Sequence, residues 1–256
     1  MNFTQRRLAR QARLFGSDAM ELIGLKKILV VGCGRNGSAF ALLAAYAGFS
    51  RFRLADPDVV KAHNVNATVP FFKRDVKRPK VHVLRDKLLA IDPSMKCELY
   101  PWKIEDPLVR EALDSSHVIV DATDSIPAKK FVNERVSENH KKGKSQTLLS
   151  LGSGIFVKNG RILQLGAQAT LFERGGACLM CSPLDQAENV NLSPVSFVVV
   201  NVLASLLGLQ LLLSSLIGYD RETNGKYNFV LYDCLSQQVV KLNRVPREDC
   251  EFCDQA

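Results

Sequence analysis

The chain has 256 residues, 46% of them hydrophobic and 23% charged, the composition of a globular protein with a sizeable core rather than a disordered or fibrous chain. The Met1 end is polar and arginine-rich without an apolar h-region, which argues against a secretory signal. Seven cysteines at this length are too few for a disulfide scaffold, so a cytoplasmic protein is expected. The net charge of +8 comes from clusters at Arg6, Arg7, Arg10 and Arg13, at Lys73, Arg74, Lys77, Arg78 and Lys80, and at Lys141, Lys142 and Lys144. No recognition-type zinc finger, helix-turn-helix pattern or aromatic-interleaved basic strand accompanies them. A phosphate site and an acidic partner protein therefore account for the charge without nucleic acid.

Along the chain, the apolar run Ile28–Val31 reads as a buried strand. It leads into Gly32, Gly34 and Gly37 at G-x-G-x-x-G spacing, and Ser38–Ala47 then reads as a helix. Glycines let the backbone turn tightly and approach an anion, and the helix amides point at it. A second strand, Arg51–Ala55, ends at Asp56, where a ribose-binding acid is expected. This pattern predicts nucleotide binding and leaves two ligands open, a redox dinucleotide or ATP.

Val81–Ile91 has a helical pattern, Lys96–Tyr100 a strand pattern, and Leu108–Leu113 a helical one. His117–Val120 is a buried strand that runs into Asp121-Ala-Thr-Asp124, followed by a helix over Ala128–Asn139 and a strand over Gln146–Ser150. The style then changes. Ile155–Lys158 and Arg161–Leu165 flank Asn159-Gly160, a strong hairpin signal, and Asn228–Tyr232 with Gln238–Leu242 form a later strand pair. The expected fold class is α/β: a Rossmann-like sheet, parallel over 20–150 and continuing into antiparallel strands over 151–256, in one domain spanning 1–256.

The segment from Pro194 to Gly218 is apolar and long enough in principle to span a bilayer. It carries Ser196, Asn201, Ser205, Gln210, Ser214 and Ser215, so no membrane role is expected. It reads instead as a central buried helix or a dimer-interface helix. Cys178-Leu-Met-Cys181 and Cys250-Glu-Phe-Cys253 are two C-x-x-C knuckles, and four thiolates make a closed structural zinc site that would staple the C-terminus to the body. Neither pair opens a helix after a strand as a redox motif does. Cys33, Cys97 and Cys234 read as small hydrophobes.

In this order the motifs resemble those of the ThiF/MoeB-like adenylating enzymes, relatives of the ubiquitin-activating enzymes, over nearly the whole chain. Arg7-Leu-Ala-Arg10-Gln11 resembles the family's R-Y-x-R-Q, Asp56-Pro-Asp58-Val59 its D-x-D-x-V, and Asn64-Val-Asn66 its N-L-N. Lys77-Arg-Pro-Lys80 resembles G-K-P-K, Ile91-Asp-Pro93 resembles I-N-P, and Asp121-Ala-Thr-Asp124 with Asn133 resembles D-x-x-D-N…N. The resemblance favours ATP. It implies adenylation of the C-terminal carboxylate of a small ubiquitin-like or sulfur-carrier protein or peptide, with release of pyrophosphate, by a homodimer. Lys80 matches the phosphate lysine, Asp124 the magnesium-binding acid, Asp56 the ribose acid, Asn64 a nucleotide contact, and Arg10 the arginine that reaches a partner subunit's ATP. An NAD-dependent dehydrogenase would share the loop and Asp56 but would not require the zinc knuckles, Lys80 or Asp124.

Three positions depart from the family pattern. Ala67 stands where the family's N-L-N-R-Q has its triphosphate-binding arginine, Arg35-Asn36 replaces Gly-Leu in the loop, and Ser125 replaces the asparagine after Asp124. Arg35 is expected to supply the missing charge, with Lys73 and Arg74 as alternatives. No cysteine follows Cys181 up to Phe197, so no thioester step is expected. The other readings are a ubiquitin-activating-type enzyme feeding a conjugation pathway and a catalytically silent scaffold subunit.

Overall fold

The computed structural model describes residues 2–181, 195–219 and 227–253. Strands β1 (Lys27–Val31), β2 (Arg51–Ala55), β3 (Lys96–Tyr100) and β4 (Val118–Asp121) are parallel, and β5 (Thr147–Lys158) joins them beside β4. The antiparallel strands β6 (Arg161–Phe172), β7 (Phe229–Asp233) and β8 (Gln238–Leu242) extend the same sheet, in the spatial order β3-β2-β1-β4-β5-β6-β7-β8. The central strands β1 and β4 are apolar almost throughout because helices cover both faces there. Asn159 and Gly160, both at positive φ, close the β5–β6 hairpin as the sequence predicts.

One face of the sheet packs against α2 (Ser17–Leu25), α3 (Arg35–Ala47), α4 (Lys80–Ile91) and α7 (Val198–Ile217), around Phe40, Phe49, Phe52 and Leu212. The other packs against α5 (Pro107–Asp114) and α6 (Ile126–Lys141), around Leu29, Leu113, Ile119 and Phe172.

The structure adds to or sharpens the sequence reading at four places. The arginine-rich N-terminus is a helix, α1 (Phe3–Phe15), capped reciprocally by Asn2 and Gln5. Its apolar residues Leu8, Ala12 and Phe15 recur at helical spacing and pack against the core, a signal the arginine-rich composition overshadows. Helix α3 begins at Arg35, one turn before Ser38, so Gly37 lies inside its first turn. The strands predicted over Gln146–Ser150 and Ile155–Lys158 are parts of one long strand, β5, which begins at Thr147, runs parallel to β4 at its start and pairs with β6 along its length. The apolar segment whose start, Pro194, lies outside the described residues is helix α7, and it is buried on one side only. Gly208 packs so closely on β5 that a Cβ there would stand 2.3 Å from Leu151, whereas Val199 and Leu206 on the outer side are about half exposed.

Candidate functional site

Strand β1 runs straight into the glycine loop. Gly32 has φ +88°, and a Cβ there would sit 3.0 Å from the Ala122 carbonyl. A Cβ at Gly37 would come within 1.9 Å of the Gly32 oxygen, so these two glycines let the loop fold onto itself and onto the β4 loop. Gly34 is the N-cap of α3 and leaves its amides without a side-chain cap, and nothing lies within 4 Å of a Cβ there. The uncapped helix end therefore opens outward, as an anion site requires.

Asp56 braces this loop from below. It is buried, and its two oxygens accept hydrogen bonds from the backbone N–H groups of Cys33 and Asp58, both at 2.8 Å. Burial pushes its carboxyl above the ordinary range, and nearby Lys80 opposes that shift. The Lys80 Nζ lies 2.8 Å from Asp58 and 3.4 Å from Asp56. Burial alone would favour neutral Lys80, but the two carboxylates outweigh it and raise its pKa. Asp58, held low chiefly by the Lys80 hydrogen bond, is the carboxylate of the pair that faces solvent, with 54% of its side chain exposed. The D-x-D motif names Asp58 but assigns the ribose role to Asp56, although D-x-D spacing places both carboxylates on the same side of extended backbone.

Across the loop, β4 ends at fully buried Asp121, whose oxygens accept from Lys129 Nζ at 2.8 Å, Ser150 Oγ at 3.0 Å and Thr123 Oγ1 at 2.7 Å. This network fixes the turn that presents Asp124 to solvent, 4.0 Å from the Arg35 guanidinium. Arg35 also donates to the Val195 carbonyl. Gly32, Gly34, Arg35, Gly37, Asp56, Lys80 and Asp124 thus gather at the carboxyl end of three adjacent strands, β2-β1-β4. That is the switch point where doubly wound sheets bind nucleotides.

Asn64 closes its own turn by accepting from the Lys61 N–H at 2.8 Å, and the buried Ala67 follows it. The Ala67 carbonyl accepts from Asn201 Nδ2, and one helical turn later Ser205 Oγ donates to the Asn36 carbonyl. Two polar residues four apart on an apolar helix were the available signal, and they tie the Ala67 segment and the glycine loop to α7. Arg10 is not brought to this site. Helix α1 docks through Arg7 to Asp92 and the Ala45 carbonyl, and through Gln11 to the Tyr46 carbonyl, at the far end of α3. That end is ~20 Å from the loop for a helix of this length. Arg74 stacks on Phe72.

The second centre is the thiol cluster. Cys178, Cys181, Cys250 and Cys253 place their sulfurs within 4.8 Å of one another, with three pairs at 3.3, 3.6 and 3.9 Å. Thiolates bound tetrahedrally to zinc at ~2.3 Å stand roughly 3.8 Å apart, so the donor set fits that ion with no open position. Burial pushes the Cys178 thiol up to about 11 and also raises Cys253. Burial acts on Cys250 in the same sense, but the Phe252 and Cys253 N–H groups prevail and bring it down to about 7. The second knuckle is anchored on α6, where Lys141 Nζ donates to the Glu251 carbonyl. Asn133, on the same helix, accepts from the Leu179 N–H.

A model of the ThiF family matches residues 8–253. The sulfur carrier protein adenylyltransferase of Thermus thermophilus is 25% identical, across 99% of this chain and 93% of its own length. The adenylyltransferase and sulfurtransferase MOCS3 of Arabidopsis thaliana is 26% identical over 96% of this chain, which spans 52% of that relative. The sulfur carrier protein ThiS adenylyltransferase of Escherichia coli is 27% identical over 48% of the chain, again about half of the relative's length. Among solved structures, E. coli MccB with ATP superposes with a TM-score of 0.78 at 18% identity, covering 99% of this chain and 75% of that one. That likeness establishes the fold, including the run of parallel strands into antiparallel ones.

Proposed function

The chain belongs to the ThiF family, and from that premise we propose that it adenylates the C-terminal carboxylate of a small sulfur-carrier or ubiquitin-like protein or peptide. In this reaction a carboxylate oxygen attacks the α-phosphorus of ATP, the α–β phosphoanhydride breaks, and pyrophosphate leaves. The observation that carries the reading is the convergence of the open glycine loop, the uncapped α3 N-terminus, Lys80 and Asp124 at one end of the sheet. Each supplies or supports positive charge where negative charge accumulates, and adenylyl transfer needs that stabilisation more than it needs a nucleophile on the protein.

In this proposal the loop amides and Arg35 hold the phosphates, and Lys80 turns from Asp58 toward them. Asp58 then meets the ribose hydroxyls while Asp56 keeps the loop closed. Asp124 would hold magnesium, which supplies neutralising charge between phosphate oxygens. Asp121 and Lys129 act through Asp124 by fixing its turn. The thiol cluster would hold zinc as a structural staple and takes no part in the chemistry. No cysteine thioester forms on this chain. Carrier-dependent ATP–pyrophosphate exchange tests the reading; a chain that binds magnesium-ATP yet shows no exchange with any carrier would favour a silent scaffold. Buried Ala67 in place of a cation is the observation that keeps that second reading in play.

We also propose a homodimer. Arg10 is exposed on α1, whose neighbouring Arg7 and Gln11 dock at the end of α3 remote from the loop, so its own loop is out of reach and a second subunit's site is the one it would serve. The exposed side of α7, with Val199, Val202, Leu203 and Leu206 around a cavity of about 360 Å³, offers an apolar face for a second copy.

A further inference from the structure

The opposite end of the sheet carries an unbalanced group of cations. Parallel pairing sets Lys27 of β1 opposite Arg51 of β2, and Arg51 opposite Lys96 of β3. Paired residues on parallel strands point to one face about 4.8 Å apart, so three positive side chains stand in a row across the first rung. The next rung on that face holds Arg53 opposite Glu98, the one nearby carboxylate. Glu98 is already engaged, accepting from Arg53 Nε at 3.0 Å and from the Tyr100 hydroxyl at 2.8 Å. The remaining donors of Arg53 serve the Ala112 carbonyl and the hydroxyls of Ser115 and Ser116. Among the described residues, the side chains of Lys27, Arg51 and Lys96 have neither hydrogen bond nor ion pair.

These residues do not splay over a flat face. Lys27, Arg51, Arg53 and Lys96, with Phe52 and Glu98, line a cavity of about 210 Å³, and Lys27 and Arg51 are partly buried. Beside them His117 accepts the Lys27 N–H on Nδ1 at 2.9 Å. Its pKa is held below the usual range by burial and then by Lys26, Lys27, Arg51 and Arg53. Like charges at directly opposed positions destabilise a sheet, and among the described residues no carboxylate pairs with Lys27, Arg51 or Lys96.

We propose that this cavity is a second anion site that takes a compact, multiply charged phosphate such as pyrophosphate. Its volume suits a small oxyanion, and its concave shape is unlike the open basic stripe that a nucleic-acid backbone needs. It is distinct from the glycine loop, since β1 separates the two ends of the sheet by ~16 Å. The proposal does not depend on the adenylation reading.

Calorimetric titration of the full-length zinc-loaded chain with inorganic pyrophosphate at low ionic strength, with an orthophosphate arm, tests it. We expect a binding event that survives Lys80→Ala at the glycine loop. Lys27→Gln combined with Arg51→Gln should weaken it at least tenfold while that loop still binds magnesium-ATP. If the double variant does not fold, Lys96→Gln at its exposed position should weaken binding about threefold. A tighter pyrophosphate than orthophosphate isotherm would identify the diphosphate as the preferred occupant. Unchanged affinity in the cavity variants, or loss of all pyrophosphate binding in Lys80→Ala, would overturn the proposal.

Discussion

The two halves of the sheet are held together by different means. In the parallel half, β1 and β4 are buried almost throughout and helices cover both faces, so transfer of apolar side chains from water holds it. At the antiparallel edge every residue of β8 is exposed, Val239 and Leu242 by about half. From β8 the chain returns to α6, where Cys250 and Cys253 meet the first knuckle. A region with so little burial of its own would gain most from a metal cross-link at these four sulfurs. Helix α7 still covers one face of β6 and β7, where Ala167, Ala169 and Val230 are buried, so β8 is the strand left exposed along its whole length.

The largest effect should come from breaking the cross-link. Binding energy of a structural zinc, ~10 kcal/mol in small isolated domains, is folding energy. Chelation or Cys250→Ser should therefore abolish hydrogen-exchange protection in β7 and β8 first, while β1 and β4 stay protected. Simultaneous loss in both regions would break the contrast. Elemental analysis should find about one zinc per chain.

Next in size is Lys129→Met, which leaves fully buried Asp121 unpaired at a cost of about 3–5 kcal/mol. A lowered melting temperature and a raised KM for magnesium-ATP are expected together, and Lys129→Arg should rescue both. Lys80→Ala should cut exchange by roughly a hundredfold or more, about 3 kcal/mol of lost charge stabilisation, in a chain that still folds. Asp124→Ala should do so without a stability cost, because that side chain is 91% exposed.

Arg35→Ala against Ala67→Arg sharpens the site itself. Losing one uncompensated cation at the phosphates costs on the order of 2–3 kcal/mol, roughly a hundredfold in exchange rate. Arg35→Ala should show that loss. Ala67→Arg should gain little, since a long side chain at that buried position would disturb the Asn201 contact.

The smallest effect is a pH dependence. The Asp58 pKa is depressed in the folded chain, so its stabilisation is present above the unfolded value of about 3.9 and is lost as pH falls through the lower folded value. Lys80 is raised, so its share is present below about 10.4 and disappears as pH climbs through the higher folded value. In acid, Asp58→Asn should flatten the fall of the melting temperature slightly, because half of that side chain faces water.

How much of this was legible in the sequence follows from what carries periodicity. The parallel strands and the Asn159-Gly160 hairpin were readable because burial and turn geometry dictate residue type there. The clustering of the four cysteines was readable because two C-x-x-C pairs are spaced as metal ligands are, and the fold brings their sulfurs together. Helix α1 was missed although Leu8, Ala12 and Phe15 form an apolar stripe, because the reading of that segment followed its charge. The roles of Asp58, Asn201, Ser205 and the Asp121–Lys129 pair were missed because they depend on segments far apart in sequence. The row Lys27–Arg51–Lys96 exists only once register is known. Whether α7 is a central buried helix or an interface helix was left open, because composition does not say which side of an apolar helix is covered.

The central claim is that the glycine-loop end activates a carboxylate with ATP. Its most direct test is exchange of radiolabelled pyrophosphate into ATP by the zinc-loaded chain, with and without a sulfur-carrier protein ending in a free carboxylate. The account predicts exchange that requires the carrier and magnesium and disappears when the carrier's C-terminus is amidated. Tight magnesium-ATP binding with no exchange against any carrier, together with exchange switched on by Ala67→Arg, would contradict it.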